Sequence, residues 1–147
     1  MFKGSRPVRR RTMALARVLL VDDDTTSRLT LQTVLEAGGY EVDSAVSAAE
    51  ALGKLDAQVY ELVLSDLQME SPDAGLEVLA HARNMEYKPA TAIITAYRDA
   101  QNPAPAKAPR TVLIEPEDLP ELLGQVASLI SERAARRMER ELNHASN

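Results

Sequence analysis

Residues 17–38 read "RVLLVDDDTTSRLTLQTVLEAG". Val18–Val21 is wholly apolar, with no alternation, which suits a strand covered on both faces, as in the middle of a parallel sheet. Three aspartates follow at once. Thr25–Ala37 then places Leu31, Val34 and Leu35 on one helical face, and Gly38 is a stop. Asp24 stands where a helix N-cap is expected. A strand, an acidic corner and a helix in 22 residues form one unit of an α/β layered fold.

The pattern repeats along the chain. Tyr40–Val46 alternates polar and apolar residues and reads as an edge strand. Ser47-Ala48-Ala49-Glu50 is a capping box opening a helix with Leu52 and Leu55. Leu62–Leu64 is a third strand, "QMESPDAG" a loop, and Leu76, Leu79 and Ala80 mark a third helix. Pro89 precedes a fourth strand, Thr91–Ile94, and Thr111–Ile114 is a fifth. Between the last two lies "AYRDAQNPAPAKAPR", where Pro103, Pro105 and Pro109 exclude a regular helix. The fourth helix of the alternation is therefore expected to be missing or short. A last helix begins near Asp118–Pro120, carries Leu122, Val126 and Leu129, and continues through "SERAARRMEREL". Ala134, Met138 and Leu142 extend a thin apolar stripe, read either as a solvated helix end or as a face for a partner or a second copy. The expected segments are a basic, disordered tail at 1–16, a folded body at 17–131, and an extension of the last helix at 132–147.

The 147 residues suit one domain, and its core must be aliphatic because aromatics are only 3%. The absence of cysteine excludes disulfides and thiolate metal sites. His81 and His144 stand apart, so a histidine metal site is not expected. No apolar run reaches the roughly 20 residues of a membrane span. Net charge is −5, yet the first eleven residues hold five cations and no anion, so the remainder carries −10. That acidity argues against broad nucleic-acid binding. Met13, just ahead of the first strand, is a candidate start of the native chain.

Polar residues gather at the carboxyl ends of the strands, where open parallel sheets bind ligands. Asp22 and Asp23 follow strand one, Asp66 follows strand three, Thr95 ends strand four and Glu115 ends strand five. Two carboxylates about 4 Å apart repel by roughly 4 kcal/mol at an effective dielectric near 20. Three need a cation or a bound proton, and oxygen-only ligands suit Mg²⁺. A carboxylate can also attack phosphorus, giving an aspartyl phosphate. Mg²⁺-assisted phosphoryl transfer to an aspartate is the chemistry these residue types point to.

The motifs "VLLVDDD", "YELVLSDLQM", "IITAY" and "IEPEDLPELL", in this order and spacing, resemble the receiver domain of bacterial two-component response regulators. The likeness runs from about residue 17 to 130. It implies a doubly wound, CheY-like α/β fold with a five-stranded parallel sheet in the order 2-1-3-4-5. It also implies that Asp66 accepts a phosphoryl group from a sensor-kinase or phosphotransfer-protein phosphohistidine. Asp23 would hold Mg²⁺ directly, Asp22 through water, and Gln68 through its backbone carbonyl. Thr95 would hydrogen-bond the phosphoryl group. With no output segment following, the expected protein is a cytoplasmic, stand-alone, non-enzymatic receiver that signals by contact with a downstream protein or as a homodimer.

Four departures stand against that pattern. Glu115 replaces the family's lysine, which reverses a charge beside the phosphoacceptor. Val112 replaces an aromatic switch residue. The proline-rich stretch replaces the fourth helix, and "LQMESPDAG" is one residue longer than the family's usual loop. A degenerate receiver acting by phosphorylation-independent binding is the second reading. A third is a haloacid dehalogenase-like phosphatase, with Asp22 as nucleophile, Asp24 as acid/base and "AIIT" as its hydroxyl strand. Lys107 is a distant candidate for a substitute cation, and Tyr97 for a cover over the site.

Overall fold

The computed structural model describes residues 14–66, 69–71, 73–96, 111–114 and 119–146. The element order is β1 (Arg17–Val21), α1 (Thr25–Ala37), β2 (Glu41–Ala45), α2 (Ala48–Ala57), β3 (Leu62–Asp66), α3 (Ala74–Arg83), β4 (Ala90–Ala96), β5 (Thr111–Ile114) and α4 (Leu119–Ser146). All strand pairs are parallel, and the sheet order is β2-β1-β3-β4-β5. The chain is thus an α/β protein with a parallel sheet. The proline-rich crossover at 97–110 lies outside the described residues.

The uninterrupted apolar run of β1 follows from its position. Val18 and Leu20 pack into a core formed with α1 and α4, while Leu19 and Val21 pack into one formed with α2 and α3. All four side chains are fully buried. Both faces of the strand are covered, so alternation would expose polar groups to apolar helices. β2 pairs with β1 alone and keeps its mixed pattern as an edge strand.

Local signals explain the helix starts. Asp24 caps α1, its side chain accepting from the Ser27 amide at 2.8 Å. At α2, Ser47 accepts from the Glu50 amide at 3.2 Å, while Glu50 accepts from the amide of Val46, one residue before the N-cap, at 2.9 Å, a shifted form of the expected capping box. At the turn into β2, Gly39 adopts φ +103°, a conformation costly for other residues. A Cβ on Gly38 would come within 2.9 Å of Leu123, so this glycine lets α4 lie close to the end of α1.

The last helix is continuous from Leu119 to Ser146, with no break at 131. Its sheet-facing stripe, Leu122, Val126 and Leu129, is buried. The next residue of that stripe is Arg133, only 8% exposed. Its guanidinium donates to the backbone carbonyls of Tyr87 and Lys88 at 2.7 and 3.0 Å. The helix is thereby pinned to the turn between α3 and β4. Further along, Met138 and Leu142 are exposed, at 65% and 64%.

Candidate functional site

The strand register builds the site. Val21 of β1 aligns with Ser65 of β3, and Asp66 aligns with Ile94 of β4. Asp22, one residue past β1, therefore leaves the sheet beside Asp66, the last residue of β3. Asp22, Asp23 and Asp66 each offer a carboxylate oxygen, and these atoms lie within 4.8 Å of one another. Asp22 is buried at 4% exposure, Asp66 is half-buried and Asp23 is exposed.

Burial pushes the Asp22 carboxyl up from its ordinary range, and repulsion from Asp24 and Asp23 adds to the effect. The Asp24 amide, donating to Asp22 Oδ1 at 3.0 Å, opposes it, as does the Arg28 guanidinium. Arg28 lies on α1, one turn past the cap, and donates to the Asp22 backbone carbonyl at 2.9 Å. Sequence reading gave no role to this arginine. Its spacing from Asp24 on a helix was the available signal. Glu70, on the loop after β3, accepts from the Ala48 amide at 3.0 Å and so ties that loop to the start of α2. Nothing in the pattern of "QMESPDAG" marked it.

Thr95 belongs to β4, one residue beyond the partner of Asp66, which places its backbone on the same rim. Val112 is aligned with Ile94, in β5. The positions of Gln68, Tyr97, Lys107 and Glu115 lie outside the described residues. His81 stands apart from the acids on α3, half-buried, with Nε2 2.8 Å from Asp56 Oδ1.

The donor set fits a hard divalent cation. It consists of oxygen alone, with negative charge in excess, and it converges from two adjacent strands. Soft or histidine-seeking metals find no matching ligand in this group.

Residues 18–111 match the response regulator receiver domain family, and the chain belongs to that family. It is 31% identical over 119 residues to the CAI-1 autoinducer sensor kinase/phosphatase CqsS of Vibrio cholerae, covering 78% of this chain and 17% of that protein. To the alginate biosynthesis transcriptional regulatory protein AlgB of Pseudomonas putida it is 41% identical over 81 residues, 55% of this chain and 18% of that one. The matches thus span less than a fifth of the length of these relatives. The crystal structure of the response regulator TrrA of Thermotoga maritima, in complex with Mg²⁺ and BeF, superposes with a TM-score of 0.62 at 30% identity. That superposition covers 78% of this chain and 99% of TrrA. Membership of this signalling family displaces the dehalogenase-like reading of Asp22 and Asp24. No described helix is long and apolar enough to cross a membrane.

Proposed function

We propose that this chain is a phosphoryl-accepting receiver that takes a phosphoryl group on Asp66 from a phosphohistidine of a sensor kinase or phosphotransfer protein. The observation that carries the reading is the convergence of Asp22, Asp23 and Asp66 within 4.8 Å. A carboxylate oxygen of Asp66 attacks phosphorus, the P–N bond breaks, and the electron pair returns to the imidazole, which takes up a proton. Asp22, Asp23 and Asp66, with the Gln68 carbonyl, would hold Mg²⁺. When bound, the ion offsets the crowded charge and polarises the phosphoryl oxygens. Asp22, buried and fixed by the Asp24 amide, gives the cluster a rigid member. Thr95 is assigned the hydrogen bond to the phosphoryl oxygens, and the output is contact with a downstream protein.

A second reading has its own support in Glu115, an acid where the family carries lysine. In that reading the fold is kept and signalling is constitutive. Intact-protein mass spectrometry after incubation with Mg²⁺ and acetyl phosphate separates the two. The first reading predicts a gain of one phosphoryl group in the native chain, none in Asp66→Asn, and a longer-lived adduct in Glu115→Lys. A native chain that never gains mass, while Glu115→Lys does, establishes the second.

A further inference from the structure

The stripe of α4 that faces the domain changes character where the helix passes the end of the sheet. Leu122, Val126 and Leu129 give way to Arg133, Arg136, Arg137 and Arg140, spaced three and four apart on the same face. Across from them, Arg83 ends α3 and Lys88 sits in the turn before β4. Outside this cluster the described residues carry only three more lysines and arginines: Arg17, Arg28 and Lys54. An otherwise acidic protein has thus concentrated six cations at one place.

Between these elements lies a recess of about 390 Å³, walled by Arg83, Lys88, Arg136 and Arg140 and floored by Pro89, Ala90, Thr91 and Leu129. Its one lining carboxylate is Glu132. The walls are held in place. Arg133 clamps the Tyr87 and Lys88 carbonyls, and Lys88 Nζ donates to the Arg83 carbonyl at 3.0 Å. The crowding is felt inside the cluster, because burial and then the charges of Arg137, Arg140 and Arg136 disfavour the cationic form of Arg133. The acidic cluster sits at the opposite ends of the strands, so the recess is a separate site.

We propose that this recess binds a small ligand of nucleotide size carrying two or more phosphate groups. Its volume falls in the range of small-molecule sites, roughly 300–1,000 Å³, and it joins an apolar floor to convergent cations. Arginine predominates over lysine, as suits bidentate contact with phosphate oxygens. A compact anion is favoured over a long one by what surrounds the recess. Across the 85–88 turn lies a groove lined by Glu41, Asp56, Glu61 and Glu86. A polyanion extending out of the recess meets that groove at short range, whereas charges beyond about 8 Å are screened at physiological salt.

Calorimetric titration of the full chain tests this, in EDTA so that no metal–nucleotide complex forms at the acidic cluster. The probes are inorganic pyrophosphate, ATP and heparin. The native chain and Lys54→Gln should bind pyrophosphate or ATP equally. Arg136→Gln combined with Arg140→Gln, both exposed, should weaken that binding by roughly tenfold or more at an unchanged melting temperature. Failure of pyrophosphate and ATP to bind, or equal binding by the double variant, overturns the proposal. Binding of heparin alone also overturns it, and marks the surface as one for a macromolecule. None of these outcomes depends on phosphorylation of Asp66.

Discussion

Replacing Asp22 with asparagine should make the metal-free protein more stable and much less responsive to Mg²⁺. Asp22 is buried and its carboxylate oxygen lies within 4.8 Å of that of half-buried Asp66. Two charges about 5 Å apart repel by roughly 3 kcal/mol at an effective dielectric near 20. Exposed Asp23 contributes less, because solvent screens it. Burial itself raises the Asp22 carboxyl, so its ionised form at neutral pH already opposes folding. The sign is that of a raised acid: the contribution to stability is present at low pH and lost as pH rises through the folded value. Asparagine removes the charge and keeps an Oδ1 to accept from the Asp24 amide. Arg28 donates to the Asp22 backbone carbonyl, a bond indifferent to the change. The expected gain in EDTA is about 2 kcal/mol, or roughly 6–10 °C in melting temperature for a body of this size. In the native chain, Mg²⁺ at a hundredfold excess over its Kd should add about 2.7 kcal/mol. Asp22→Asn should retain less than half of that shift. Circular-dichroism melts in EDTA, in Mg²⁺, and in NaCl of matched ionic strength provide the measurement. If Asp22→Asn melts at or below the native temperature in EDTA, the carboxylates are not in costly conflict. If NaCl stabilises the native chain as well as Mg²⁺ does, they hold no specific cation.

Arg133→Met should cost about 3 kcal/mol in urea unfolding, because the Tyr87 and Lys88 carbonyls lose charge-assisted bonds. Arg136→Met, at an exposed position of the same helix, should cost under about 0.5 kcal/mol, and equal losses would remove the clamp from the account. At alkaline pH, burial pushes the Tyr87 hydroxyl up to about 12 and raises that of Tyr60 as well. The unfolded phenols ionise near 10, so stability should fall from about pH 10 towards 12. Tyr87→Phe should flatten that fall, and an unchanged slope in denaturant titrations would refute the assignment.

Much of the architecture was legible because single residues carried it. The unbroken apolar run of Val18–Val21 specified burial on both faces, and Asp24, Ser47 and Glu50 marked helix starts that hydrogen bonding realises. That Asp22, Asp23 and Asp66 share a rim was legible from the polar strand ends, but the adjacency of their strands came through the resemblance, since neighbours in a parallel sheet are set by crossovers rather than local pattern. Arg133 was given no role, because an arginine is seldom buried. What seats it is a pair of carbonyls 45 and 46 residues away, in a turn whose shape no local pattern announces. Arg28 escaped for a similar reason: its partner is a backbone oxygen.

The unbroken run of α4 also has a mechanical consequence. Its first half is fastened to the sheet and Arg133 is bolted to the 87–88 turn, so the remaining thirteen residues form a cantilever roughly 20 Å long. Tilting the helix by about 10° about that bolt sweeps its far end through roughly 3.5 Å, because the arm is rigid over its length. The same tilt moves Leu129, about 6 Å from the bolt on the sheet side, through only about 1 Å, so a small adjustment where the helix meets the sheet is read out as a displacement about three times larger at the far end.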